Sequence, residues 1–96
     1  MYTVQIKPSA ILMAKDAYEW YEEQKVGLGD LFLAELSRCY NKLENNPLHY
    51  QKLKRNYRHL VLNKFPYVLI FEIIENEIVI LAVFHTARNP KLKFKK

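Results

Sequence analysis

The residues of this sequence best suited to chemistry lie in its second half. His85 stands three positions before Arg88, and Arg58 lies upstream of both. A histidine gains or loses its proton near neutral pH. An arginine can grip a phosphate through paired N–H donors. Together these types could cleave RNA through its own 2′-hydroxyl, a reaction that needs a base, an acid and positive charge for the transition state. Lys52, Lys54 and Arg55 could hold flanking phosphates, with Lys64 as a further cation, and Tyr57 or Phe94 could stack a base. Each has a plainer reading. His85 can hydrogen-bond its own turn, Arg58 can make a structural pair, and the Lys52-Leu53-Lys54-Arg55 run can be a solvated loop. Arg88 has the strongest functional reading of the set, because it falls in a loop.

Other reactive types point elsewhere. His49, His59 and His85 lack metal-ligand spacing and have no local carboxylate partner, so neither a metal nor another cofactor is expected. Cys39 falls on an apolar helical stripe and reads as core. With a single cysteine no intramolecular disulfide can form, which fits a reducing cytoplasm. Gly27 and Gly29 are too sparse for a phosphate loop and read as a turn between helices.

The net charge is +5, and its distribution is uneven. Residues 1–44 carry five Lys/Arg against seven Asp/Glu, whereas residues 45–96 carry ten against three. A balance of −2 thus faces one of +7, which suggests an anionic partner such as RNA, DNA or an acidic protein segment. The N-terminus has no basic segment leading into an apolar one, so no signal peptide is expected. No apolar run approaches the roughly 20 residues of a membrane-spanning helix.

These residues must be positioned by a single domain spanning 1–96, since half of the 96 residues are hydrophobic. Tyr2 to Lys7 alternates as a half-buried strand. Ser9 then reads as the N-cap of a first helix with Ala10, Met13, Ala14, Ala17 and Tyr21 on one face, widened by Ile11 and Tyr18. Gly27-Leu28-Gly29 closes it. A second helix from about Asp30 to Asn45 carries Phe32, Leu36, Cys39, Tyr40 and Leu43, and Asn46-Pro47 stops it. A polar, basic loop over 48–56 follows. Tyr57–Asn63, Tyr67–Ile74 and Ile78–Phe84 then read as strands joined in hairpins. The expected fold is α+β: an N-terminal strand, then a two-helix antiparallel hairpin packed on one face of a mainly antiparallel four-stranded sheet.

Along this order the chain resembles the RelE/ParE toxin family of type II toxin–antitoxin systems, over nearly its whole length. Pro8-Ser9-Ala10 is similar to the family's first helix start. Tyr57-Arg58-His59-Leu60 is similar to its Val-Arg-Arg-Leu-like strand. Phe65-Pro66-Tyr67 with Val68-Leu69-Ile70-Phe71 is similar to a Phe-Pro-Tyr-x-Ile-x-Tyr signature. His85-Thr86-Ala87-Arg88-Asn89-Pro90 is similar to the His-x-x-Arg-x-Pro ending. Two positions depart from the nuclease pattern. Val68 stands where ribonuclease members usually carry an arginine, and Lys93 stands where an aromatic often follows, with Phe94 one place later.

The resemblance implies a toxin neutralised by a cognate antitoxin that wraps it, with operator DNA bound only through that antitoxin. The Phe-Pro-Tyr and His-x-x-Arg-x-Pro pieces look closer to the ParE-like branch, for which DNA gyrase is the implied target. The alternative is a RelE-like, ribosome-dependent mRNA endonuclease using Arg58, His85 and Arg88. In either case Lys52, Lys54, Arg55, Arg58, Lys64, Arg88 and Phe94 are the expected contacts to nucleic acid or antitoxin. A third reading, from charge alone, is a non-toxic basic nucleic-acid-binding module.

Overall fold

A computed structural model describes residues 2–87. The N-terminal alternation folds as strand β1 (Thr3–Ile6), with Val4 and Ile6 turned toward the core and Thr3 and Gln5 exposed. Helix α1 (Pro8–Gln24) starts at Pro8, whose fixed φ suits the first helical position. The N-cap is Lys7 rather than Ser9, and no side chain caps this end, because the proline places the helix start two residues earlier.

Helix α2 (Leu28–Asn45) begins two residues before the expected Asp30. Gly27, at φ 92°, makes the reversal, while Gly29 lies inside the helix. A Cβ on Gly29 would come within 2.7 Å of the Tyr18 carbonyl oxygen and the Glu22 carboxylate. Gly29 is therefore set by the close approach of the helices, not by turn geometry. Glu22 accepts the Gly27 and Gly29 N–H groups, both at 2.9 Å, and so satisfies donors that the start of α2 leaves open.

After a one-turn 3-10 helix at Pro47–His49 come β2 (Tyr57–Val61), β3 (Tyr67–Ile74) and β4 (Glu77–His85). The sheet order is β1-β4-β3-β2. β2, β3 and β4 form an antiparallel meander, and β1 adds parallel to β4. A register shift lets Phe71 pair with Ile80 and Ile70 with Ala82, which leaves Leu81 as the extra residue. The bulge switches which side chains of β4 face the helices: Ile78 and Ile80 before it, Val83 after it. An even alternation would turn Val83 outward. Beyond Ile80 the strand has outrun β1, and the Met13 sulfur of α1 accepts the Val83 N–H at 3.4 Å.

The main core lies between the helix pair and the sheet, around Phe32, Leu36, Cys39, Leu43, Leu69, Phe71 and Ile80. At one end four rings interlock. Phe65 and Tyr67 contact Tyr21 of α1 and Phe32 of α2 at centroid distances of 5.0–6.0 Å. Such pairs contribute about 0.5–1.5 kcal/mol each beyond simple burial. The Phe-Pro-Tyr segment is thus the stitch between the β2–β3 turn and both helices. The opposite sheet face carries a smaller cluster of Val68, Ile70 and Phe84, with Leu53, Tyr57, Leu81 and Ala82 against it.

Candidate functional site

The basic segment before β2 is a built arm rather than a solvated loop. Leu53 donates its N–H to the Tyr57 carbonyl at 2.7 Å, Tyr57 donates to Lys54, and His59 donates to Gln51. Lys52 bridges Arg58 in antiparallel sense. Residues 51–53 therefore run as a short extension of the sheet along the outer edge of β2. Lys54 and Arg55 sit at its tip, both exposed, with Arg55 in the left-handed region at φ 57°.

Arg58 does not face this tip. It lies opposite Phe71, on the helix side of the sheet, and donates from Nη1 to the Tyr50 carbonyl at 2.7 Å. Tyr50 in turn packs edge-on against Phe71. This arginine ties the incoming chain to the sheet, the structural reading of the residue.

His85 lies at the far end of β4. Its Nδ1 accepts the Ala87 N–H at 3.1 Å, and its ring packs against Tyr67 with centroids 5.2 Å apart. It lines a cavity of about 420 Å³ with Met13, Asp16, Trp20 and Tyr67. Thr86 holds this end by donating N–H and hydroxyl to the Pro66 carbonyl.

Arg58 and His85 do not converge. Arg58 pairs through Phe71 with Ile80, whereas His85 pairs with Tyr67. Four residues along β3 and two strand spacings separate them, roughly 13 Å along the strands and 10 Å across. A proton-transfer group must reach its target at about 3 Å or through one water. The other cations divide in the same way. Lys52, Lys54 and Arg55 lie near the start of β2, and Lys64 lies in the turn beyond its end, at φ 71°. The charge excess of the second half therefore does not form a single patch among the described residues. Arg88 and Phe94 lie outside the described residues. Val68, at the position of the missing arginine, sits with Ile70 and Phe84 in the apolar cluster of the second face.

Two residues that the sequence reading passed over organise this scaffold. Glu22 fixes the helix–helix turn. Glu35 of α2 forms a two-pronged pair with Arg38 at 2.7 and 2.9 Å and accepts the Asn63 N–H at 2.6 Å. Arg38 holds the Glu35 carboxyl below its ordinary range, more strongly than burial raises it, and the Asn63 N–H assists. The contact spans 28 residues, so no local pattern announces it. Cys39 is buried, and burial pushes its thiol up to about 11, the opposite of an activated nucleophile.

Among the described residues no group of three His, Cys, Asp or Glu side chains could hold a metal ion, and no helix is long and apolar enough to cross a membrane.

Comparison with known proteins agrees with this architecture. No curated protein matches the chain. A chain in the solved structure of the chromosomal ParDE TA system from P. aeruginosa superposes with a TM-score of 0.73 at 16% identity, covering 88% of this chain and 96% of that one. At that identity the likeness concerns the fold. The family model for the ParE toxin of the type II toxin–antitoxin system parDE matches residues 4–90. That match takes in β1, both helices, the meander and the His-x-x-Arg-x-Pro ending, and the chain belongs to the ParE toxin family.

Proposed function

We propose that this chain is a toxin that arrests growth by binding DNA gyrase in the cytoplasm and is neutralised by a cognate antitoxin. The observation that carries the reading is the separation of Arg58 from His85, with Arg58 committed to the Tyr50 carbonyl. Strand-cleavage chemistry needs its acid, base and charge gathered on one phosphate. Inhibition by binding needs only a stable surface, and this scaffold presents shaped surfaces at both ends of the sheet. The family membership and the apolar surroundings of Val68 support the same reading.

The test is inhibition of gyrase supercoiling by the purified, folded chain. Inhibition is expected at low micromolar protein, and a His85→Ala variant should retain it. No inhibition at micromolar excess overturns the gyrase assignment. Primer extension on transcripts after induction provides the contrasting outcome. Codon-linked cuts that vanish in a His85→Ala, Arg88→Ala variant would establish the nuclease reading instead.

A further inference from the structure

The cavity beside His85 owes its existence to unequal strand lengths. β1 ends at Ile6, which pairs with Ile80, so among the described residues no strand lies beside β4 on that side from Leu81 to His85. Met13 reaches part of the way across, and its sulfur takes the Val83 N–H. A space of about 420 Å³ remains between α1, the start of β3 and the end of β4. Its walls are aromatic. Trp20 of α1 is held edge-on to Tyr21 with ring centroids 5.1 Å apart, yet is 43% exposed. Tyr67 of β3 contributes a second ring, held edge-on to His85. The rings are thus oriented before any ligand arrives.

One carboxylate joins them. Asp16 stands one helical turn before Trp20 and lines the same cavity. Among the described residues no cation pairs with it; Lys15, its neighbour in sequence, is 4.0 Å from Glu19. Helix α1 as a whole has one lysine against Asp16, Glu19, Glu22 and Glu23, a balance of −3. His85 closes the cavity at the end of β4, but its Nδ1 accepts the Ala87 N–H, so that nitrogen is unprotonated and the ring brings no charge.

Fixed aromatic faces beside a carboxylate suit a guanidinium. Its plane stacks on a ring while its N–H groups reach the carboxylate oxygens. A nucleotide would stack as well, but it would carry phosphate charge toward a helix already at −3. An apolar ligand would cover Asp16 without giving it a partner.

We infer that this cavity takes an arginine side chain from a basic segment of the inhibited protein, with the guanidinium against Trp20 and its N–H groups on the Asp16 carboxylate. The inference rests on the proposed toxin reading. A protein that grips DNA presents cations to the phosphates, and an acidic helix beside an arginine site is complementary to such a surface. An acidic segment of an antitoxin would instead be drawn to the half of the chain that carries +7.

Trp20 is the one tryptophan of the chain, so its fluorescence reads the cavity directly. The folded, full-length chain is titrated with hexa-arginine. A saturable change in emission is expected, and hexa-glutamate should give none. Asp16→Asn should weaken the hexa-arginine response by about 10-fold and Asp16→Arg by about 100-fold. In the gyrase supercoiling assay these variants should lose inhibition in the same order, and Trp20→Ala should lose about 10-fold. Circular dichroism identifies a variant that has not folded; Trp20→Phe then replaces Trp20→Ala, and Asp16→Asn stands for its position. Wild-type emission that hexa-arginine leaves unchanged overturns the inference. A response to guanosine monophosphate in its place assigns the cavity to a base and also overturns it. Binding that appears only after Arg88, Lys91, Lys93, Lys95 and Lys96 are replaced by glutamine gives the cavity to the chain's own basic end, again against the inference. Wild-type inhibition by folded Asp16→Arg overturns it while leaving the gyrase reading intact. A wild-type chain that inhibits no gyrase removes that reading, whereas the fluorescence titration fails only if the cavity takes no arginine.

Discussion

Replacing Gly29 by alanine sets two opposing effects against each other at one position. Inside a helix, alanine is favoured over glycine by about 1 kcal/mol. On that ground alone the variant should be more stable. The new Cβ, however, would stand 2.7 Å from the Tyr18 carbonyl oxygen, from Tyr18 Cδ1 and from Glu22 Oε1. The carbonyl belongs to the backbone of α1, so it can retreat only if the two helices separate. Overpacking of this kind costs about 1–3 kcal/mol. Displacing Glu22 also loosens its hold on the Gly27 and Gly29 N–H groups, a capping loss of roughly 0.5–2 kcal/mol. The steric and capping costs exceed the propensity gain, and Gly29→Ala should lose about 1–3 kcal/mol. For a domain of this size that lowers Tm by roughly 5–20 °C. Urea and thermal unfolding followed by far-UV circular dichroism measure it. Glu22→Gln serves as a control that weakens the cap without the clash, and should lose less. An unchanged or raised midpoint for Gly29→Ala would refute the close-approach argument and leave helix propensity as the governing effect.

The remaining predictions concern the clamps and turns. Glu35 is held below the ordinary carboxylate value of 4.5, first by Arg38. Its stabilisation is therefore complete above that value and is lost as pH falls through the lower folded one; Glu35→Gln should reduce stability at neutral pH, and the gap to wild type should close in acid, as urea titrations across that range would record. Glu75 occupies the first central position of the β3–β4 turn at φ 57°, where an L side chain is strained, so Glu75→Gly should raise the thermal midpoint by an amount corresponding to about 1 kcal/mol. Arg58→Ala leaves the Tyr50 carbonyl without its donor and should speed hydrogen exchange in the 50–58 arm, while gyrase inhibition falls no more than the arm's disorder requires; complete loss of inhibition with an undisturbed arm would assign Arg58 a direct role.

Periodicity makes most of the elements visible in the sequence. The α2 stripe through Phe32, Leu36, Cys39 and Leu43 is buried as expected, and the Tyr67–Ile74 strand has the expected bounds. These features are legible because side-chain spacing within one element decides which face is buried. Boundaries were less legible. Ser9 has the chemistry of a cap, yet Pro8 begins the helix; Gly29 has the chemistry of a turn, yet it lies within α2. At Ser9 the adjacent proline decides the boundary, whereas at Gly29 the deciding contacts come from Tyr18 and Glu22 of α1, which the local pattern cannot name.

Residue type alone identified arginines, a histidine and lysines capable of binding or cleaving a polyanion, and motif order identified the family. Tertiary structure decided what those residues face. Strand register puts Arg58 and His85 on different strands and at different ends, and hydrogen bonding ties Arg58 to Tyr50. The bulge at Leu81 sets the direction of Val83 and the residues after it, an outcome that no alternation in an apolar run could reveal. The cavity beside His85 arises only when α1 lies against β3 and β4, because all three supply its walls. Composition and spacing specify elements and candidate chemistry; the register between strands and the distance between helices determine which candidates meet.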